Sequence, residues 1–291
     1  MTPWRFEAIG TSWLVSPASG TGPADATELT DEVRHEVRAL IDGFDRTWSR
    51  FRDDGSIAAL RRGEAVDLGD HAPILFALFD ELVTVTAGAM NPLVGAGLER
   101  LGYDPAYSLA PSGDPVPAPP WTSAKRDGTV LRLAPGTVLD VGAAGKGLLV
   151  DLVADLVTSR TGPCVVDAGG DLANRSGRSI RVALEHPDDP ELAIGVAQVP
   201  DGWSICGSAV NRRAWGDDWH HVLDARTGRP VRGTAATWVV DRTTARADAL
   251  ATAAFLASTA DLAARVPDLH CLVLADDGSS AAHDFPAEVF T

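Results

Sequence analysis

Cysteine is scarce: 3 of 291 residues, at positions 164, 206 and 271. Spacing that wide offers no paired thiolates for a structural zinc and no disulfide framework. Each is flanked by apolar residues, so all three read as reduced core cysteines of a cytoplasmic protein. Basic residues are also few, with 25 Lys and Arg against 40 Asp and Glu and a net charge of −15. No broad cationic surface is available to neutralise nucleic-acid phosphates or to hold an anionic membrane. No run of about 18 apolar residues exists, which excludes membrane insertion by a transmembrane helix. The opening residues, Met1 to Phe6, lack a basic start followed by an apolar stretch, so no signal peptide is expected.

What remains is ordinary globular composition, 45% hydrophobic and 22% charged, compatible with one large domain or two small ones. A single domain over 1–291 is the expectation. The acidic average field repels a dianionic nucleotide, so any such ligand needs local cations. Lys146, the Arg212–Arg213 pair and a bound metal are the candidates.

Residues 5–15 read as a strand and 17–26 as a Pro/Gly/Ala/Ser-rich loop. Val33, Val37, Leu40, Ile41, Phe44 and Trp48 recur at helical spacing, which predicts an amphipathic helix over 30–48. Pro73 starts a second helix, continued by Leu75, Phe76, Phe79, Leu82 and Val83. Residues 104–128 carry six prolines and form a long irregular excursion, either functional or a surface wrap. Short strands are expected near 129–134, 163–167, 179–185, 193–199, 202–206, 219–223, 236–240 and 270–274, with helices near 146–160 and 245–258. Strands outnumber helices without alternating regularly, so the fold class is α+β.

Three segments carry chemistry. In the alanine-rich run from Thr244, Asp248 and Thr252 stand one helical turn apart, which puts two oxygens on one face. A hard cation such as Mg²⁺ takes such a pair, but Asp in a first helical turn also suits the dipole without any metal. Gly142 to Gly147 lies between an apolar strand and an apolar helix, where a glycine-rich turn exposes N–H groups to phosphate. It is neither a Walker loop, since Asp140 and Gly147 occupy required Gly and Ser/Thr positions, nor the dinucleotide fingerprint. His221, three residues before Asp224, reads more readily as a strand-end residue before an ordinary turn than as half of a hydrogen-bonded base pair. Gly169-Gly170-Asp171 reads as a tight strand-end turn.

Taken in order, these segments resemble the ApbE family, the FAD:protein FMN transferases. Leu139 to Asp151, Val166 to Asp171, His220 to Pro230 and the Ala-Asp-Ala-Leu-Ala-Thr run carry the resemblance. Phe6 to Thr11, Trp48 to Phe51 with Ser56-Ile57, and Thr86 to Pro92 extend it over nearly the whole chain. The family implies α+β mixed sheets with packed helices and FAD as substrate. It implies Mg²⁺ held by the Gly145 carbonyl, Asp248 and Thr252. It places Lys146, Gly147, Gly169, Gly170, Asp171, Ser208, Met90 and His221 at the flavin nucleotide, with His221 and Asp248 catalytic. The implied reaction attaches FMN through a phosphoester to a Thr or Ser of a flavin-acceptor protein and releases AMP. FAD hydrolysis to FMN and AMP, and non-catalytic FAD binding, are the alternatives. Departures from the family pattern fall at Ile9, Arg61, Leu93, Gly207, Ala209 and Ala225. The implied metal ligands are kept better than the flavin-lining positions.

Overall fold

The N-terminal hairpin and the C-terminal strands form the opposite edges of a single large sheet. In the computed structural model, residues 2–18, 29–216 and 219–290 are described; most of the predicted 17–26 loop and the Arg212 side chain fall outside them. A hairpin, β1 (Trp4–Ala8) and β2 (Thr11–Pro17), precedes α1 (Asp31–Trp48), α2 (Ser56–Arg61), β3 (Ala65–Asp67), α3 (Ala72–Val85) and α4 (Gly95–Arg100). Strands β4 (Lys125–Asp127) and β5 (Val130–Arg132) lead to α5 (Gly145–Thr161). Then come β6 (Cys164–Ala168), β7 (Asp171–Arg175), β8 (Ile180–His186), β9 (Asp189–Val199) and β10 (Ser204–Ala209). Four two-residue strands follow, β11 (Ala214–Trp215), β12 (Trp219–His220), β13 (Leu223–Asp224) and β14 (Arg229–Pro230). The chain closes with β15 (Thr234–Asp241), α6 (Thr244–Ala253), α7 (Thr259–Ala263), β16 (Cys271–Ala275), β17 (Ser280–His283) and β18 (Ala287–Val289).

The large sheet runs β1-β2-β6-β7-β10-β15-β16-β17, with every neighbouring pair antiparallel. A second sheet, β18-β9-β8, covers its far face. Strand alternation decides which side chains go where. On β15, Trp238 and Val240 join Leu184 and Val199 of the covering sheet. Val239 points the other way, into the cluster with Ala247, Leu250 and Phe79. Helices α1 and α5 pack their Val37, Ile41, Val150 and Val153 against Val15 and Val166. The fold is α+β, as expected.

Helix α6 is buried nearly all round, which its alanines allow by keeping every face small. It is capped by Thr243, whose Oγ1 accepts the Arg246 N–H at 3.3 Å. It ends at Ala253 rather than 258, because Ser258 caps a new helix by accepting the Asp261 N–H at 3.1 Å. The predicted strand 5–15 is instead a hairpin. Ile9 (φ 45°) and Gly10 (φ 74°) both adopt left-handed backbone, the signature of a two-residue turn that reverses the chain. The 104–128 excursion is not wholly irregular, since it holds β4 and buries Trp121. The predicted strand 219–223 breaks at His221 into β12 and β13. All three cysteines are buried and free.

Candidate active site

A cavity of about 560 Å³ opens where the N-terminus of α5 meets α6, the end of β10 and the His221 turn. That is within the usual size of a small-molecule site. Gly145, Lys146, Met90, Gly169, Ser208, His221, Asp248 and Thr252 all line it. Gly147, Gly170 and Asp171, expected to face the nucleotide, do not line it. They build its wall instead. Gly147 sits against α6, where its N–H donates to Asp248 Oδ2 at 2.9 Å. Gly170 accepts the Gly207 N–H at 2.9 Å, which ties the β6–β7 turn to β10. Asp171 is fully buried on β7 and meets Lys146 Nζ at 2.5 Å. That contact is an ion pair without hydrogen-bond alignment, and the other oxygen, Oδ1, has no partner.

Lys146 also donates to the Ala168 carbonyl at 3.1 Å. Burial alone would lower its pKa, but the carboxylates of Asp171 and Asp248 outweigh that and raise it. Asp248, 3% exposed, is pushed the other way. Burial raises its pKa well above the carboxylate range, and the Asp171 charge adds to the effect against the opposing Lys146. One buried ammonium therefore faces two buried carboxylates. This deficit of positive charge suits a divalent cation. Thr252 Oγ1 donates to the Asp248 carbonyl at 3.2 Å, leaving its lone pairs free. Asp248, Thr252 and the Gly145 carbonyl are a hard-oxygen set of the kind Mg²⁺ takes. Among the described residues no cluster of three His, Cys, Asp or Glu side chains exists, so a metal here would need oxygens from its ligand and water.

The two helices bearing these groups are locked together by Asp151 of α5. Its Oδ1 accepts the Thr244 N–H at 3.0 Å and the Thr244 hydroxyl at 2.8 Å, and its Oδ2 accepts the Ala245 N–H at 2.9 Å. Asp151 thus holds the first turn of α6 one turn before Asp248.

His221 does not pair with Asp224. The Asp224 carboxylate holds Arg226 at 2.7–3.2 Å, and its carbonyl accepts the Gly228 N–H at 2.7 Å, so it shapes the turn. His221 Nδ1 is enclosed without a partner. Burial, with the charge of Arg213, lowers the His221 pKa to about 4. The His221 ring is therefore neutral at neutral pH. Arg213 is exposed on the cavity rim. Of the departures, Ile9, Gly207 and Ala209 line the cavity, whereas Arg61 binds Glu99 at 2.9 Å and Leu93 and Ala225 are buried.

Sequence reasoning missed the opposite wall, made by Arg50, Phe51, Tyr103, Tyr107 and Asp140. One signal was there to use. Tyr103 and Tyr107 are the only two tyrosines in 291 residues, and both come from the excursion's start. Arg50 lies inside the Trp48–Phe51 segment that carries the resemblance, but nothing in that run set its side chain apart from its charged neighbours.

The ApbE family profile matches residues 9–273. The chain belongs to the ApbE family. A Rhodobacter capsulatus FAD:protein FMN transferase is 30% identical over 76% of this chain and 46% of its own length. The Treponema pallidum FAD:protein FMN transferase is 28% identical over 76% of this chain and 70% of its own. The chain thus spans about half the length of the Rhodobacter relative. The crystal structure of the Thermotoga maritima ApbE protein superposes with a TM-score of 0.81 at 20% identity, covering 97% of each chain. The apo Pseudomonas stutzeri flavinyl transferase ApbE gives 0.77 at 22%, covering 97% and 94%. Both share the ApbE fold seen here. Among the described residues no helix is long and apolar enough to cross a membrane.

Proposed function

We propose that this ApbE chain is a Mg²⁺-dependent FAD:protein FMN transferase. The observation that carries the reading is the convergence of Gly145, Lys146, Asp248, Thr252 and His221 on one cavity. Asp248, Thr252 and the Gly145 carbonyl hold the metal. When bound, Mg²⁺ neutralises pyrophosphate and favours charge on the departing phosphate. Lys146, fixed by Asp171, adds a cation to the same wall. His221, whose ring is neutral at neutral pH, accepts the proton from a Thr or Ser hydroxyl of the acceptor protein. That oxygen bonds the FMN-side phosphorus, the bond to the AMP phosphate breaks, and AMP leaves. Gly169 and Ser208 border the nucleotide, and the buried Met90 closes the cavity behind it. The curated relatives are named for transfer to a protein, and this supports a protein as the second substrate.

The test is to incubate the protein with FAD, Mg²⁺ and candidate flavin-acceptor domains, then measure AMP and intact acceptor mass. An acceptor gaining FMN with equimolar AMP supports transfer. AMP without adduct assigns hydrolysis, and FAD binding without AMP assigns a carrier. Binding of FAD should exceed that of FMN only when Mg²⁺ is present.

A further inference from the structure

Helix α6 carries both side-chain oxygens of the proposed metal set, yet its own surface does little to fix how it is turned. Five of its ten residues are alanine. Interlocking ridges of side chains normally set the rotation of one helix against its neighbours, and alanine ridges are shallow. The rotation matters. A side-chain oxygen stands about 5–6 Å from the helix axis, so a turn of about 10° carries it about 1 Å. A functional site needs its groups held to within about 0.5 Å.

The restraints described so far act weakly on that rotation. Asp151 grips the first turn chiefly through backbone N–H groups, close to the axis, where a bond resists sliding more than turning. The Gly147 N–H fixes one Asp248 oxygen but not Thr252, one turn on.

Arg246 supplies the leverage. It stands about 200° round the helix from Asp248 and does not line the cavity. Its Nη1 donates to Asp241 Oδ2, at the end of β15, at 2.6 Å. Nη1 and Nη2 reach the two oxygens of Asp268, in the link between α7 and β16, at 3.2 Å each. Nη2 and Nε meet Glu81 Oε1 of α3 at 3.1 and 3.4 Å. Every guanidinium nitrogen is engaged, by carboxylates from three separate segments. The planar fork can satisfy all three in one orientation only, and it does so at the end of a long side chain, far from the axis.

We propose that Arg246 is a positioning residue, which sets the rotation of α6 and so aims Asp248 and Thr252 at the metal. This rests on the metal reading above. Charge alone would act with the opposite sign. A guanidinium on the metal-bearing helix repels a dication, so its removal would by itself strengthen metal binding. Weaker binding on removal therefore reports geometry.

The test titrates Mn²⁺ alone, without FAD, into wild type, Arg246→Met and the double variant Arg246→Met/Asp241→Asn. Melting temperatures in EDTA are taken beside it, and the titrations run well below the lowest of them. Arg246→Met keeps an unbranched stem and a good helix former but loses the fork. The double variant also removes the charge that the buried Asp241 would otherwise carry unpaired. Mn²⁺ affinity should fall about tenfold or more in Arg246→Met. It should stay low in the double variant even as the melting temperature recovers. If Arg246→Met does not fold, the double variant alone decides. Wild-type affinity in Arg246→Met, or an affinity that returns with the melting temperature in the double variant, would overturn the positioning role and leave the metal set standing. A wild type that binds no Mn²⁺ overturns the metal set itself, and this role with it.

Discussion

The Gly147 N–H and the Asp248 carboxylate meet at 2.9 Å across 101 residues of chain. A Cβ on Gly147 would lie 2.3 Å from the Thr244 carbonyl oxygen and 2.7 Å from Asp248 Cβ. Only glycine lets α5 approach α6 so closely at this point. The approach puts the glycine turn and the carboxylate into one site.

Gly147→Ala must push the two helices apart, because the colliding atoms are backbone and Cβ rather than a flexible side-chain end. The expected cost is about 1–3 kcal/mol, read as a lower urea midpoint with an unchanged slope. A variant as stable as wild type would mean that the helices slide past the added methyl freely.

Asp248→Asn removes the charged oxygen donor of the proposed metal set. AMP release should fall at least about a hundredfold. Stability without metal should hold or rise, because burial and the Asp171 charge both disfavour the ionised side chain. Turnover assays and a melt in EDTA check the two halves. Wild-type turnover would reduce Asp248 to a packing residue.

As the proposed base, His221 should set the acidic limb of the rate profile. An unperturbed histidine would lose its base form below about 6.5; this one, with a pKa lowered to about 4, keeps it to that pH. Activity should therefore persist through pH 5 and fall near 4. The same shift makes the folded protein less stable as pH falls from about 6.5 towards 4, since the unfolded state binds the proton first. His221→Ala should cost about 10²–10⁴ in rate with FAD affinity kept. An acidic limb near 6.5 in wild type, or one unchanged in the variant, would remove His221 from proton transfer.

Asp151→Ala frees the first turn of α6. Two backbone N–H groups and one hydroxyl lose their acceptor. Divalent-metal affinity should drop about 10–100-fold, the usual effect of losing a group that orients a ligand. Mn²⁺ titration reads it directly, and excess metal should restore part of the rate. Unaltered metal affinity in a destabilised variant would show that Asp151 serves the core alone.

Much of this architecture was legible because period and caps are local. The apolar spacing from Val33 to Trp48 became α1, and the apolar runs at 163–167, 236–240 and 270–274 became sheet strands. β7 was hidden, because Asp171 read as the end of a turn, whereas its burial depends on Lys146 arriving from α5. The first hairpin was hidden because Ile9 is a poor advertisement for left-handed backbone. The site divided along the same line. Asp248, Thr252 and Lys146 lie in compact motifs. The Arg50–Asp140 pair joins residues 90 positions apart, and no local pattern announces such a partnership.

The two-helix joint also sets when the proposed site is completed during synthesis of the chain. Everything on the α5 side is translated about 100 residues before Asp248. At 5–20 residues per second that is a wait of about 5–20 s. Through that interval the glycine turn has no carboxylate to hold, and Lys146 and Asp171 neutralise each other. A nascent chain therefore lacks the proposed metal ligands Asp248 and Thr252 until α6 emerges. Strand β15 precedes α6, and β16 and β17 follow it to finish that edge of the sheet, so the site and the sheet are both completed late.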